Sequence, residues 1–167
     1  LEAMLLAAGY RVGLYTSPHL IRYNERVRID GRMASDAALC QAFEAVEAAR
    51  GETALTYFEF GTLAAMWQFA QAKIEVAILE VGLGGRLDAV NVFEPDVAIV
   101  TTVDLDHMDY LGDTREKIGF EKAGIYRAGK PALCADADPP ASLLQYAVQI
   151  GAPLLRINQD FNVVSEA

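Results

Sequence analysis

The 167-residue sequence holds only two cysteines, Cys40 and Cys134, and they match no metal-ligand or redox spacing. A disulfide scaffold is excluded, and both thiols read as small, reduced core residues of an intracellular protein. No apolar run approaches the ~20 residues of a membrane span, and no secretory signal pattern is present. Positive charge is in the minority: 14 Lys and Arg stand against 23 Asp and Glu, a net charge of −9. Binding that works by neutralising nucleic-acid phosphates is disfavoured, whereas a nucleotide escorted by divalent cations stays compatible. A phosphate loop of the Gly-x4-Gly-Lys-Ser/Thr type is missing, as are internal repeats and low-complexity linkers.

What is present supports a folded core. Hydrophobic residues make up 53% and charged residues 22%, in a length of one domain or slightly more. Residues 1–8 read as mid-helix with no cap ahead of them, and Gly9 reads as a C-terminal cap, so the sequence is expected to be a fragment. A strand follows over 11–15, broken by Thr16-Ser17-Pro18-His19. Residues 26–29 alternate polar and apolar before a hairpin-type Asp30-Gly31 turn. Ser35-Asp36 caps a helix to about Ala49, with Leu39, Phe43, Val46 and Ala49 on its inner face. A second helix over 59–72 carries Leu63, Met66, Trp67 and Ala70 as a core stripe. Further strands are expected over 76–79, 97–100, 131–134 and 153–157, and helices over 114–126 and 140–150, with a polar loop over 104–113. This alternation predicts an α/β fold with a mostly parallel, doubly wound sheet and helices on both faces.

The stretch 74–91 stands out. Val76-Ala77-Ile78-Leu79 reads as a buried strand, Glu80 ends it, and a turn with Gly82, Gly84 and Gly85 leads to Arg86 and Asp88. The turn is no dinucleotide fingerprint, because Leu87 holds the third glycine position and no clear helix follows. Taken singly, each candidate has an ordinary reading: Glu80 as an acid opening a surface loop, His107 as a solvated loop histidine, Lys122 as a surface lysine, Ser17 as a turn residue. Position joins three of them. Ser17, Glu80 and His107 each fall at or just beyond the C-terminal end of an expected strand, along the edge where ligands bind in open α/β sheets.

Five segments together resemble the folylpolyglutamate synthase family of the Mur ligase superfamily, in its bifunctional bacterial form that also acts as dihydrofolate synthase. They are Tyr15-Thr16-Ser17-Pro18-His19-Leu20 with Asn24-Glu25-Arg26-Val27-Arg28-Ile29, then Thr56-Tyr57-Phe58-Glu59-Phe60-Gly61-Thr62, then Glu80-Val81-Gly82-Leu83-Gly84-Gly85-Arg86-Leu87-Asp88-Ala89-Val90-Asn91, then Asp106-His107-Met108-Asp109-Tyr110-Leu111-Gly112, and Glu121-Lys122-Ala123-Gly124-Ile125. The resemblance implies a cytoplasmic, monomeric enzyme using ATP to join L-glutamate to dihydropteroate or folate through an acyl phosphate. It implies two Mg2+ sites: Ser17 and Glu80 at the first, Glu80, His107 and Lys122 (as a carbamate) around the second. Hard oxygen donors suit Mg2+, and carbamylation would remove the repulsion of an ammonium whose ordinary pKa is ~10.4. It further assigns the pterin to Phe58, Asp88 and Ala89, with Thr56 as a weaker member.

The family's phosphate loop and its C-terminal glutamate-binding domain have no counterpart in these residues, so the 167 residues are expected to be part of an ATP-binding domain. A Mur-type peptide ligase and a non-catalytic binding or interaction remnant are the rival readings. The segment 56–60 and Asp88-Ala89 favour a folate over a nucleotide-sugar peptide. The 167-residue chain alone is expected to have no measurable ligase turnover; detecting ATP- and glutamate-dependent product with the purified chain refutes that expectation.

Overall fold

The computed structural model describes residues 1–162, which form two compact units, 1–82 and the residues from Leu83 onward. The first unit opens with helix α1 (Glu2–Ala7), after which Gly9 turns the chain at φ +88°. Strand β1 (Val12–Tyr15) pairs antiparallel with β2 (Val27–Ile29), which pairs antiparallel with β3 (Arg32–Met33). The two-residue link Asp30-Gly31 has positive φ at both positions, as a tight hairpin turn needs. Helix α2 (Asp36–Arg50) begins where the Ser35 hydroxyl accepts the Ala38 N–H, and α3 (Tyr57–Ala72) begins at a capping box between Thr56 and Glu59. Strand β4 (Val76–Leu79) then pairs parallel with β1, giving the order β3-β2-β1-β4.

The second unit holds β5 (Ala98–Val100), β6 (Ala132–Cys134) and β7 (Leu154–Arg156), paired parallel in that order. Between them lie α4 (Met108–Leu111), α5 (Arg115–Ala123) and α6 (Ala141–Ile150). Its core joins Val100, Ile118, Tyr126, Cys134, Leu143 and Ala147. Each unit is thus α/β, and no helix among the described residues is long and apolar enough to cross a membrane.

Several expectations are corrected. Cys134 is buried, but Cys40 is exposed. Helix α2 buries Leu39, Ala42 and Val46, and the position after Leu39 points away from that face. On α3 the buried residues are Gly61, Thr62, Ala64, Ala65, Gln68 and Phe69, whereas Leu63 and Ala70 are exposed. This helix is apolar nearly all round, so periodicity could not select its inner face. The choice falls to close packing: Phe69 lies on Gly13 of β1, where a Cβ would stand 2.7 Å from the ring. Residues 104–113 are not all loop, since four of them form α4. A single helical turn is too short to show a helical period. Helix α5 ends at Ala123, three residues before the expected end, where Gly124 caps it.

Gly13→Val is expected to destabilise the first unit by about 1–3 kcal/mol through overpacking against Phe69. Urea unfolding measures it, and an unchanged midpoint contradicts the packing account.

Candidate substrate and metal site

In the first unit the parallel register of β1 and β4 matches Tyr15 with Leu79. The next residue, Glu80, donates its N–H to the Tyr15 carbonyl at 2.9 Å, so its side chain emerges beside the end of β1. Its Oε2 accepts the Ser17 N–H at 3.0 Å. The structure therefore brings Ser17 and Glu80 together, with Glu80 exposed and Ser17 half-buried. Glu80 Oε1 and the Ser17 hydroxyl make no hydrogen bond among the described residues.

The chain after β1 is held in a small cradle. The Glu25 carboxylate accepts N–H groups from Leu20, Ile21 and Arg22 at 2.7–2.9 Å. These amides hold its pKa below the usual carboxylate range. Phe58, half-buried on α3, packs its ring 5.7 Å from that of Tyr15 and close enough to Gly82 that a Cβ there would sit 2.6 Å from it. Thr56 serves as the cap of α3, its hydroxyl accepting the Glu59 N–H at 3.3 Å. Beside Phe58, Tyr23 and Tyr57 form an edge-to-face pair that lines an apolar cleft with Phe43, Leu55 and Phe60. Burial, reinforced by Tyr15 and Tyr57 and opposed by Arg26, pushes the Tyr23 phenol up to about 12, so it stays neutral.

In the second unit the glycine loop is strapped to the end of α5. Arg86 donates its N–H to the Glu121 carbonyl at 2.8 Å and pairs with the Glu121 carboxylate at 2.9 Å. Asn91 Nδ2 donates to the carbonyls of Arg86 and Gly124, at 3.0 and 3.1 Å, and Asn91 Oδ1 accepts from Arg127 at 3.0 Å. Gly85 lies so close to the same helix end that a Cβ would stand 2.9 Å from the Glu121 carbonyl oxygen and 3.1 Å from that of Lys122. The loop bearing Asp88 and Ala89 is thereby joined to the backbone bearing half-buried Lys122. Asp88 has a structural role, since its carboxylate accepts N–H groups of Leu83 at 2.8 Å and Val90 at 3.0 Å and so fixes the loop. Arg86, Asn91, Glu121 and Arg127 received no individual role from the sequence. The signal available there was the pairing of one charge on the loop with an opposite one at the helix end.

His107 has left-handed backbone, φ 48° and ψ 43°, at the start of α4, and its exposed ring lies 3.6 Å from Asp106. No hydrogen bond or ion pair joins it to Lys122. The segment leading to it is anchored at Val103, whose N–H goes to buried Asp136 at 2.8 Å and whose carbonyl accepts from Arg115 at 2.8 Å. Burial raises the Asp136 pKa, but the amides of Val103 and Asp138 together with Arg115 outweigh it and hold the group below the usual range. Among the described residues no three His, Cys, Asp or Glu side chains cluster as a metal site. The donor types do fit a hard divalent cation: one carboxylate oxygen and one hydroxyl lie at the same strand ends without other partners.

Residues 33–149 match the model of the Mur ligase middle domain. The chain belongs to the Mur ligase middle-domain family. This middle-domain chain is 52% identical over 162 residues to the dihydrofolate synthase/folylpolyglutamate synthase of Escherichia coli strain K12, covering 97% of the chain and 38% of that relative. It is 40% identical to the folylpolyglutamate synthase of Lacticaseibacillus casei, covering 96% of the chain and 40% of that relative. The structure of E. coli FolC in complex with DHPP and ADP superimposes with a TM-score of 0.96 at 51% identity, over 99% of the chain and 40% of that protein. The Yersinia pestis bifunctional enzyme complexed with AMPPNP and Mn ion gives 0.93 at 55% identity, over 96% of the chain and 39% of that protein. The chain thus spans about two-fifths of the length of these relatives.

The depressed pKa of Asp136 stabilises the fold fully above the unfolded carboxylate value of ~3.9, and that contribution is lost as pH falls through the lower folded value. Asp136→Asn is expected to remove this acid-side component and to cost about 1–3 kcal/mol at neutral pH. Melting curves from neutral pH into the acid range read the effect; a variant with the wild-type profile contradicts the anchoring role.

Proposed function

We propose that this middle-domain chain supplies the metal-ligand and pterin-binding parts of a longer, cytoplasmic, ATP-dependent ligase that joins L-glutamate to dihydropteroate and to folates. The observation that carries the reading is the Ser17–Glu80 pair: a carboxylate held at the C-terminal edge of the sheet by a backbone N–H at 3.0 Å, its second oxygen without a hydrogen bond among the described residues. The similarity to enzymes complexed with DHPP and ADP, and with AMPPNP and Mn ion, supports the choice of substrate class and of a divalent cation.

Ser17 and Glu80 would hold one Mg2+, and Glu80, His107 and a carbamate on Lys122 a second. Bound there, the cations neutralise charge on the phosphates as the phosphoryl group moves to the substrate carboxylate. The chain's own residues orient the reactants. The Ser17 amide fixes which Glu80 oxygen faces outward. Phe58, already held against Tyr15 and Gly82, offers a flat apolar wall for a pterin ring. Asp88 holds the loop through Leu83 and Val90, and an ionised carboxylate is an acceptor suited to a pterin amino group as well. Ala89 follows it at the start of a 3-10 turn, and Thr56 keeps α3 and hence Phe58 in place. Attack of the glutamate amine on the acyl phosphate then forms the amide and releases phosphate.

Glu80→Gln keeps an acceptor for the Ser17 N–H but removes the charge. In the full-length ligase it is expected to lower kcat/KM by about a hundredfold or more, with dihydropteroate, ATP and glutamate as substrates. Near-wild-type turnover of the variant contradicts the role given to Glu80. A substrate panel in which a nucleotide-sugar peptide is extended and dihydropteroate is not would favour a peptide ligase.

A further inference from the structure

Most half-buried arginines among the described residues are neutralised, Arg28 by Glu2, Arg50 by Glu47, Arg115 by Asp136 and Arg127 by Glu94, with Arg156 the exception. Arg26 is different. It is only 8% exposed, yet it makes no ion pair among the described residues. Its Nε donates to His19 Nδ1 at 2.9 Å, and its guanidinium lies 5.6 Å from the centre of the Tyr23 ring and 5.5 Å from that of Tyr57. Its terminal nitrogens make no hydrogen bond among the described residues, and they keep contact with solvent.

Burying a charge without a counter-ion is costly, and the flanking rings offset only part of that cost. Position gives the charge a use. Arg26 sits one hydrogen bond from the candidate metal ligands, because Thr16 donates its N–H to the Arg26 carbonyl at 2.9 Å and Ser17 follows Thr16. On its other side, Tyr57 is the neighbour of both Thr56 and Phe58. An arginine pinned through Nε and two rings presents its remaining N–H groups as a planar fork, the geometry that matches a carboxylate in two parallel bonds. The tyrosine walls suit an anion borne at the end of an aromatic molecule better than a freely hydrated one.

We propose that Arg26 is the receptor for a carboxylate of the substrate, between the aromatic wall at Phe58 and the metal ligands at Ser17 and Glu80. The inference rests on the ligase reading given above. Two sources share the chemistry. One is the benzoate carboxylate of dihydropteroate, which is the group that reacts; the other is the α-carboxylate of a glutamyl residue, which dihydropteroate lacks and tetrahydrofolate carries.

The test uses the full-length ligase with Arg26→Gln and Arg26→Lys, and measures kcat and KM for dihydropteroate, tetrahydrofolate and ATP, beside melting temperatures. Arg26→Gln is expected to raise the KM for the carboxylate substrate by about tenfold to a hundredfold, leaving the KM for ATP unchanged. Arg26→Lys recovers part of it, since it keeps the charge and loses the fork. A rise for dihydropteroate alone assigns the benzoate carboxylate, which tetrahydrofolate carries as an amide; a rise for tetrahydrofolate alone assigns the glutamyl α-carboxylate; a rise for both assigns the carboxylate that each substrate activates. Unchanged KM for both, a rise confined to ATP, or a drop in melting temperature alone overturns the proposal. Should Arg26→Gln not fold, the wild-type enzyme decides: it is expected to bind either the carboxamide analogue of dihydropteroate or the α-carboxamide analogue of tetrahydrofolate about tenfold more weakly than the matching acid, and equal binding in both pairs overturns the proposal. Wild-type enzyme that makes no ATP- and glutamate-dependent product sinks the ligase reading instead, whereas active wild type with an unaltered Arg26→Gln sinks only the role of Arg26.

Discussion

Parallel pairing of β1 with β4, in the register that sets Tyr15 opposite Leu79, is the constraint on which the first unit's chemistry depends. Both strands stop at the same level, and one further backbone bond, from Glu80 N–H to the Tyr15 carbonyl, delivers Glu80 beside Ser17. A slip of one residue would turn every side chain of β4 to the opposite face and separate the pair. The register is defended from behind by Phe69, which packs on Gly13 and ties α3 to the middle of β1. Since α3 also carries Phe58 and its capping Thr56, the same contact that fixes the sheet fixes the aromatic wall. The proposed metal ligands and the proposed substrate wall in this unit are thus set by one packing arrangement, with little of it left to flexible side chains.

The second unit solves a different problem. A glycine-rich loop has little intrinsic order, because its glycines lose much backbone freedom on folding. Here the ordering comes from polar bonds. Asp88 gathers two loop amides, Arg86 and Asn91 reach the end of α5, and Arg127 closes the network through Asn91 and Glu94. Gly85 is needed because two carbonyl oxygens of α5 occupy the space of a side chain. The loop and Lys122 are consequently positioned as one body within that unit. The approach to His107 is set separately, by the Arg115 and Asp136 clamp on Val103.

Much of this was readable from the residues where local chemistry decides. Ser35 and Thr114 announce helix starts through their hydroxyls, and each does cap as expected, whereas Thr56 caps a helix that begins at Tyr57, two residues before the expected start. The strand ends at Tyr15 and Leu79 follow from the apolar runs that precede them, which is why Ser17 and Glu80 were recognisable as edge residues. Features set by distant partners were not readable. The inner face of α3 is chosen by Gly13, which lies far away in sequence, and the outward turn of Cys40 follows from the face α2 presents to α3. The loop-fixing bonds of Asp88 depend on the conformation of its own loop, and the unpaired state of Arg26 depends on which acids do not come near it. Motif resemblance named Asp88 and Lys122 as functional, but only the fold ties the segments that carry them together.

The central claim is that the paired ends of β1 and β4 form a divalent-cation site. Its most direct measurement is a Mn2+ titration of the full-length ligase with a non-hydrolysable ATP analogue, followed by electron paramagnetic resonance, comparing wild type with Ser17→Ala. Among the described residues the Ser17 hydroxyl makes no hydrogen bond, so its loss is expected to leave the fold intact and to remove one proposed ligand. The account predicts Mn2+ affinity weakened by about tenfold with an unchanged melting temperature. Wild-type Mn2+ affinity in that variant would contradict it.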